Sequence, residues 1–363
     1  MAFNLFHSKT SQIGIDIGTS AIKIVELTNE NKRWSLLNYG IFRIHGGDAM
    51  PDGRQGSSDT SQSILNLPEE EIAKNISVTI QSAGIKSKSA IASISSFSTF
   101  ATVIEMPYVS EEDLAKTIPF EARKYVPVPL DQVILDWSIV GVADKAVQPS
   151  PSGTSVEVFL AAVPKDETAK YQRIMRLAGI ELKALELENS SLIRALLGND
   201  LSPTAIVNIG GRSTTILIVS RGYERVNHTY EIGGYEMTMA ASKGLDSTLA
   251  EAEEYKRTKG LIAGNNDSAH EAIARVVDTI IQEIQRTIQP YEDTRDQKVE
   301  RVVFVGGVSD TPGLLEYVKG KLGRDVLMGN VFARLQYPSE LTPIVGSLSN
   351  TLAIAVGAAL RES

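Results

Sequence analysis

Apolar and polar residues alternate near the start of the chain in a pattern typical of adjacent β-strands. Residues 13–27 read IGIDIGTSAIKIVEL, where a β-branched run, a glycine-rich turn and a second alternating run follow one another. This order predicts a β-hairpin, and residues 34–43 predict a third strand. The polar segment at 46–63 is rich in glycine and serine and predicts a mobile loop.

Helical periodicity and strand-like runs alternate through the rest of the chain. Pro68 and three glutamates open a predicted helix with Ile72 and Ile76 on its apolar face. In the second half, three helices are predicted near 234–243, 246–259 and 268–289 from their apolar spacing. The C-terminal SLSNTLAIAVGAALRES is rich in small residues, so we expect a closely packed core helix and no membrane anchor.

Residues 99–183 have a pattern of their own. Ser110 can cap a helix, and Pro119 is expected to break or kink that helix because proline removes a backbone donor. Strands are predicted near 133–141 and 155–163, and a further helix follows them. This segment therefore predicts a compact α+β insertion.

A repeat divides the chain into two halves. The sequence DIG at 16–18 and the sequence NIG at 208–210 occupy equivalent places in two similar hairpins, about half the chain apart. Each half would begin with a three-stranded meander and continue with helix–strand units. The length of 363 residues also favours two domains.

Composition and charge exclude several function classes. The 36 basic and 44 acidic residues give a formal charge of −8, which argues against a protein wrapped in nucleic acid. Cysteine is absent, which excludes disulfides and cysteine nucleophiles, and the four histidines are too scattered for a metal site. No apolar run approaches the roughly 20 residues that span a bilayer, so a soluble cytoplasmic protein is expected. No P-loop motif or nucleophile elbow occurs.

The turn of the first hairpin, DIGTSAIK at 16–23, has the composition of a phosphate site. Consecutive backbone N–H groups in such a turn can converge on one anion. Asp16 could hold Mg²⁺ through water, and Lys23 shares a strand face with Thr19, from which its ammonium could reach a terminal phosphate. A plain β-turn with an incidental lysine is the alternative.

Three further motifs have a similar ambiguity when each is taken alone. The second hairpin turn, NIGGRSTT at 208–215, would hold phosphates from the opposite side. The double glycine at 306–307 follows a buried strand and would let a flat ring lie against the backbone, or it forms a tight turn. Glu253 and Lys256 share a helical face, where they could grip a ribose or simply face solvent.

Taken in order, these motifs resemble those of the actin/heat-shock-chaperone/sugar-kinase ATPase superfamily. The inserted segment is similar to the FtsA-type subdomain of that superfamily. The long blocks IEMPYVSEEDLAKTIPFEARKYVPVPLDQVILDW and VFLAAVPKDETAKYQRIMRLAGIELKALELE are similar to the PilM family of type IV pilus assembly proteins.

The resemblance implies an α/β, two-lobed actin-like fold of duplicated ribonuclease-H-like domains with an FtsA-type α+β inserted subdomain. The implied divisions are a first lobe of residues 12–98, 184–200 and 340–363, an inserted subdomain of 99–183, and a second lobe of 201–339 with a helical subdomain at about 240–298.

The resemblance also implies a site for ATP and Mg²⁺ between the lobes. The implied nucleotide-binding residues are Asp16, Gly18, Thr19, Ser20 and Lys23 in the first turn, Gly210, Gly211, Ser213 and Thr214 in the second, Gly234 at a helix start, Glu253 and Lys256, and Gly306 and Gly307. Asp16 would hold Mg²⁺ through water. The superfamily usually has an aspartate where this chain has Asn208, and Glu188 or Asn189 are the candidates to orient water. ATP binding with slow or absent hydrolysis is therefore expected.

Resemblance to the PilM family implies a cytoplasmic scaffold that binds the short N-terminal peptide of the inner-membrane protein PilN and links it to the pilus motor. Membrane recruitment would then come from the partner, and a homodimer is possible. Two other classes stay open. One is a filament-forming cytoskeletal protein like FtsA or MreB, and the other is a sugar kinase of the same fold.

Overall fold

A computed structural model describes residues 11–31, 33–44, 63–108, 110–142, 155–262 and 267–362. The loop predicted at 46–63 lies outside these residues, apart from residue 63. The strands are β1 (Ser11–Ile17), β2 (Ala21–Glu30), β3 (Arg33–Arg43), β4 (Ser89–Ile94), β5 (Phe100–Pro107), β6 (Val133–Val142), β7 (Ser155–Pro164), β8 (Glu181–Leu187), β9 (Thr204–Ile209), β10 (Thr214–Ser220), β11 (Tyr223–Tyr230), β12 (Arg301–Val305), β13 (Asp325–Met328) and β14 (Leu335–Gln336). The helices are α1 (Glu69–Ser82), α2 (Glu111–Ala122), α3 (Lys165–Leu177), α4 (Glu188–Leu196), α5 (Gly234–Leu245), α6 (Leu249–Thr258), α7 (Ser268–Arg295), α8 (Leu314–Leu322) and α9 (Val345–Ala359).

The two larger sheets share a topology of five strands, and β14 adds a sixth strand at the edge of the first sheet. The first has the order β14-β3-β2-β1-β4-β8 and the second has the order β11-β10-β9-β12-β13. In each, an antiparallel three-stranded meander is extended by two parallel strands, β4 and β8 in one and β12 and β13 in the other. This confirms the duplication that the two hairpins predict. We call the first sheet with α1, α3, α4 and α9 the first lobe, and the second sheet with α5 to α8 the second lobe.

Helices α4 and α9 form a layer between the two sheets. Apolar residues of both sheets pack on this layer, and the outer faces of the sheets are covered by α1 and α3 on one side and by α5, α7 and α8 on the other. The side chains from Leu348 to Ala359 are all buried, as the small residues of this segment predict. The hydrophobic core is therefore continuous across both lobes.

Close packing of α9 on β1 depends on Gly14. A Cβ atom added at Gly14 would lie 1.9 Å from the carbonyl oxygen of Ala355 and 2.6 Å from the amide nitrogen of Ala359. Both contacts are to helix backbone, which cannot move aside as a flexible side chain can. Glycine at this position is therefore what lets α9 lie directly on the strand that carries Asp16.

The segment Ser339–Ala359 has a mean hydropathy of 1.4 over its most apolar window. Among the described residues it is the one segment that is long and apolar enough to cross a membrane by length and composition alone. However, 61% of that window is buried inside the protein, as expected for a core helix.

The inserted segment forms a three-stranded sheet, β5-β7-β6, with α2 packed on one face. The predicted break at Pro119 is wrong, because α2 continues through this residue to Ala122. Pro119 and Ala115 are exposed, so the carbonyl that loses its helical donor faces water, while Ile118 is buried against the sheet. We call the sheet β5-β7-β6 with α2 the inserted subdomain.

Candidate nucleotide-binding site

The first turn joins β1 to β2 and carries a buried acid and a lysine. Asp16 is 3% exposed and is the cross-strand partner of Lys23, whose Nζ atom donates a hydrogen bond to Oδ2 of Asp16 over 2.9 Å. A Cβ atom at Gly18 would lie 3.0 Å from that Nζ atom. Strand register therefore fixes one ammonium group directly beside the backbone of the turn.

The second turn joins β9 to β10 and is held by the start of helix α5. The N–H of Gly210 donates to the carbonyl of Ser213 over 2.8 Å, and the N–H of Gly234 donates to the carbonyl of Gly210 over 3.0 Å. Thr214 donates its hydroxyl to the carbonyl of Ile232 over 2.7 Å. The predicted residues of this motif are therefore brought together with the predicted helix start.

The two turns contact each other where the lobes meet. A Cβ atom on Gly211 would lie 2.0 Å from Oγ of Ser20 and 3.6 Å from Oγ1 of Thr19. The first turn is also held by a hydrogen bond of 2.8 Å, which the N–H of Ile64 donates to the carbonyl of Thr19. The two hairpin turns thus face each other, as is expected if they hold phosphates from opposite sides.

Glu253 and Lys256 are paired on α6 beside the second turn. Nζ of Lys256 donates to Oε2 of Glu253 over 2.6 Å, to Oγ1 of Thr238 over 2.9 Å and to the carbonyl of Gly234 over 3.0 Å. Burial by itself would raise the pKa of Glu253, but the charge and hydrogen bond of Lys256, with help from Thr238 and Arg257, lower this pKa to about 2. Glu253 is therefore an ionised carboxylate that is held in position by Lys256.

The double-glycine loop after β12 lies between the lobes. Gly306 has a φ of 93°, and a Cβ there would lie 2.7 Å from Oδ1 of Asn208. The N–H of Gly306 donates to the carbonyl of Asn350 on α9 over 3.1 Å. In contrast, a Cβ on Gly307 would meet only Oγ1 of Thr351, at 3.9 Å, so this side of the loop is less crowded than the side at Gly306.

Comparison with known proteins identifies the chain. Residues 14–363 match the family described as type IV pilus assembly protein PilM. The chain belongs to the PilM family. The cell division protein FtsA of Bacillus subtilis (strain 168) is 24% identical over 88% of this chain and 77% of its own length.

Solved structures place this PilM-family chain in the actin-like ATPase fold. The PilM–PilN type IV pilus biogenesis complex matches with a TM-score of 0.77 and 21% identity, over 97% of this chain and 98% of that chain. MreB5 of Spiroplasma citri bound to AMPPNP matches with a TM-score of 0.51 and 11% identity, over 97% and 95% of the two chains. The predicted fold class is confirmed.

The PilM-family fold brings Glu188, at the start of α4, into the electrostatic field of the first turn. Burial and the negative charge of Asp16 raise the pKa of Glu188 to about 7, against the opposing effect of Lys23. The hydroxyl of Tyr171 on α3 is affected by the same two carboxyl groups, and its pKa is raised mainly by burial. Glu188 is thus the predicted connecting-segment residue that lies near Asp16, and Tyr171 is an unpredicted neighbour.

A second buried acid, Glu224, joins the lobes near this point. Its Oε2 atom accepts a hydrogen bond of 2.9 Å from Nδ2 of Asn189, which follows Glu188 in α4. Oδ1 of Asn189 in turn accepts from Oγ of Ser96 over 2.7 Å. Burial raises the pKa of Glu224 to about 7. No motif marks this residue, although a lone acid in a strand-like run is the signal that sequence reasoning could have used.

Two further charged residues near the site carry no family motif. Arg43 is the last residue of β3 and pairs with Ala21 of the first turn. Burial and the charge of Arg257 in the second lobe lower the pKa of Arg43, and the negative charge of Asp310 opposes this effect. Asp310 follows the double glycine and accepts hydrogen bonds from Asn350 and Ser347 of α9. Both residues therefore lie where the lobes face each other.

The raised pKa values of Glu188 and Glu224 predict a pH-dependent stability. The folded protein keeps these protons above the ordinary carboxyl pKa of 4.5, whereas the unfolded chain loses them. The free energy of unfolding should therefore fall as pH rises from about 4.5 to about 7 and become level above that range. Urea denaturation at several pH values measures this. Glu224→Gln keeps an acceptor for Asn189 and should reduce the pH dependence, and an unchanged dependence in this variant would contradict the assignment.

Proposed function

We propose that this chain is an ATP-binding cytoplasmic scaffold of the type IV pilus assembly machinery that binds the N-terminal peptide of a PilN-like inner-membrane protein. The proposal is carried by membership of the PilM family, together with likeness over 97% of the chain to a structure solved as a PilM–PilN complex. The bound peptide would hold the chain at the inner membrane, and the chain would link that partner to the pilus motor.

ATP is the proposed ligand because phosphate-type turns and nucleoside-type motifs lie close together between the lobes. Lys23 would supply a cation to the phosphates, and the backbone of the second turn would supply N–H donors. The buried pair of Glu253 and Lys256 would bind the ribose, and the less crowded side of the loop at Gly307 would accept the base. MreB5, with the same fold, is known with AMPPNP, which supports this choice of ligand.

Mg²⁺ would be held here mainly by waters and phosphates. In the described parts of the chain, no group of three or more acidic or histidine side chains is placed to ligate a metal. This fits Mg²⁺, which commonly keeps several waters and uses one or two carboxylates with substrate phosphates. Asp16 would be that carboxylate, and Glu188 would orient water. Asn208 adds no negative charge, so ATP hydrolysis is proposed to be slow or absent.

A peptide-binding measurement tests the scaffold proposal. A fluorescent synthetic peptide with the cytoplasmic N-terminal sequence of the PilN-like protein from the same genome is titrated with this chain, and anisotropy is recorded. We expect saturable binding, both without nucleotide and with Mg²⁺·ATP. A scrambled peptide of the same composition is the control. Equal binding of the two peptides, or of neither, would contradict the proposed partner.

A filament-forming cytoskeletal role is the second candidate, and the likeness to B. subtilis FtsA over 88% of the chain favours it. Sedimentation with Mg²⁺·ATP, Mg²⁺·ADP or no nucleotide distinguishes the two roles. A scaffold stays in the supernatant under all three conditions. Pelleting that requires nucleotide would favour the filament.

A further inference from the structure

Strand β11 of the second lobe has two adjacent charged residues that bind different parts of the molecule. Glu224 pairs with Val219 of β10, but Val226 pairs with Ile218, so Arg225 is the extra residue of a β-bulge. A bulge re-aims a side chain relative to the regular alternation of a strand. This local irregularity lets β11 reach both the first lobe and the inserted subdomain.

Arg225 binds the inserted subdomain through a buried ion pair. Its Nη1 atom lies 2.7 Å from Oε2 of Glu157 on β7, and the two side chains are 5% and 4% exposed. Arg295, at the end of α7, lies 2.6 Å from the other oxygen of Glu157 and 3.8 Å from Glu105 on β5. Two arginines of the second lobe therefore clamp two glutamates of the inserted sheet.

Glu224, the residue before Arg225 on β11, binds the first lobe. The hydrogen-bonded chain from Glu224 through Asn189 to Ser96 is buried, with exposures of 4%, 1% and 7%. Asn189 is the neighbour of Glu188, which feels the charge of Asp16 in the first phosphate turn. Ser96 follows β4 closely, and Ser93 of β4 is the cross-strand partner of Asp16 on β1. These contacts therefore extend from Glu224 to the strands that carry the first turn.

We propose that β11 couples the nucleotide site to the inserted subdomain, so that a change in lobe closure at the phosphate turns moves or stiffens the sheet β5-β7-β6. The proposal rests on nucleotide binding as proposed above. The inserted subdomain is covalently joined to the first lobe, between β4 and β8, yet its buried charges are paired with the second lobe. When the lobes move, separating these pairs would leave unpaired charges buried, so the inserted sheet is expected to follow the second lobe.

Hydrogen exchange followed by mass spectrometry tests this coupling, with Mg²⁺·AMPPNP as the probe. In the wild type we expect the nucleotide to slow exchange in both turns and also in β5 and β7, by about fivefold or more, as is typical of allosteric coupling. Glu157→Gln removes the charge that both arginines bind. This variant should keep the response of the turns and lose the response of β5 and β7.

Glu121→Gln is the matched control, because Glu121 also pairs with a basic residue, Lys124, but on the exposed surface of α2 in the same subdomain. It should behave as the wild type. Arg295→Gln, at a side chain that is 36% exposed, removes one arm of the clamp and guards against misfolding of Glu157→Gln. A partial loss of the strand response is expected for it.

The outcomes separate the two proposals. Protection of the turns without protection of β5 and β7 in the wild type overturns the coupling alone. A wild-type response of the strands in both Glu157→Gln and Arg295→Gln also overturns it. Absence of protection at the turns themselves overturns nucleotide binding and, with it, the coupling that depends on it.

Discussion

Asp16→Ala is expected to weaken the binding of Mg²⁺·ATP by about tenfold or more, equivalent to about 1.4 kcal/mol. Asp16 is the buried carboxylate of the first turn, and its bond of 2.9 Å fixes the ammonium group of Lys23. The substitution would remove both the proposed site for metal-bound water and the partner that orients the lysine. Isothermal titration calorimetry measures the loss, with Mg²⁺ and with chelator.

The dependence on Mg²⁺ distinguishes a site residue from a structural one. In the wild type, Mg²⁺ should strengthen ATP binding, and in Asp16→Ala this strengthening should disappear. Asp278→Ala is the matched control, because Asp278 pairs with Lys321 over 2.7 Å on the surface of the second lobe. We expect that control to bind as the wild type does. Equal affinity and equal Mg²⁺ dependence in Asp16→Ala would refute the phosphate-site assignment.

Gly14→Ala should have the largest effect on stability, lowering the free energy of unfolding by about 3 kcal/mol. The added methyl group would overlap backbone atoms of Ala355 and Ala359, so α9 would have to move away from β1. Urea denaturation followed by circular dichroism gives the change.

The control for this substitution is Gly320→Ala in α8, where a Cβ atom would meet nothing within 4 Å. Alanine is the better helix former, so this variant should be neutral or more stable by up to about 1 kcal/mol. If both alanines had the same effect, the close approach of α9 to β1 would not be the reason that glycine is needed at position 14.

Features determined by neighbouring residues could be predicted from the sequence. Strand alternation predicts that Lys23 lies on the face of the first turn, and the small residues after Leu348 predict a tightly packed helix. The duplicated topology follows from two similar hairpins. By contrast, the continuation of α2 through Pro119 could not be predicted, because it depends on Ala115 and Pro119 facing water in the folded protein.

Residues whose role depends on contacts between lobes could not be predicted in this way. Glu224 and Asn189 are far apart in the sequence and belong to different lobes, so no local spacing connects them. The bulge that places Arg225 against Glu157 is likewise invisible in a pattern of apolar residues. Motifs predict the residues of the proposed nucleotide site, but the groups that join these residues to the rest of the molecule emerge only from the folded chain.

The contact between Ser20 and Gly211 has a consequence for how affinities of this protein are to be interpreted. Because the turns touch, a triphosphate bound between them as proposed would have to enter while the lobes are apart. The measured dissociation constant is then the intrinsic constant divided by the fraction of molecules that are open. A substitution remote from the nucleotide can therefore change the apparent affinity by shifting the opening equilibrium alone. A partner that binds preferentially to the open or to the closed lobes would change nucleotide affinity in the same way.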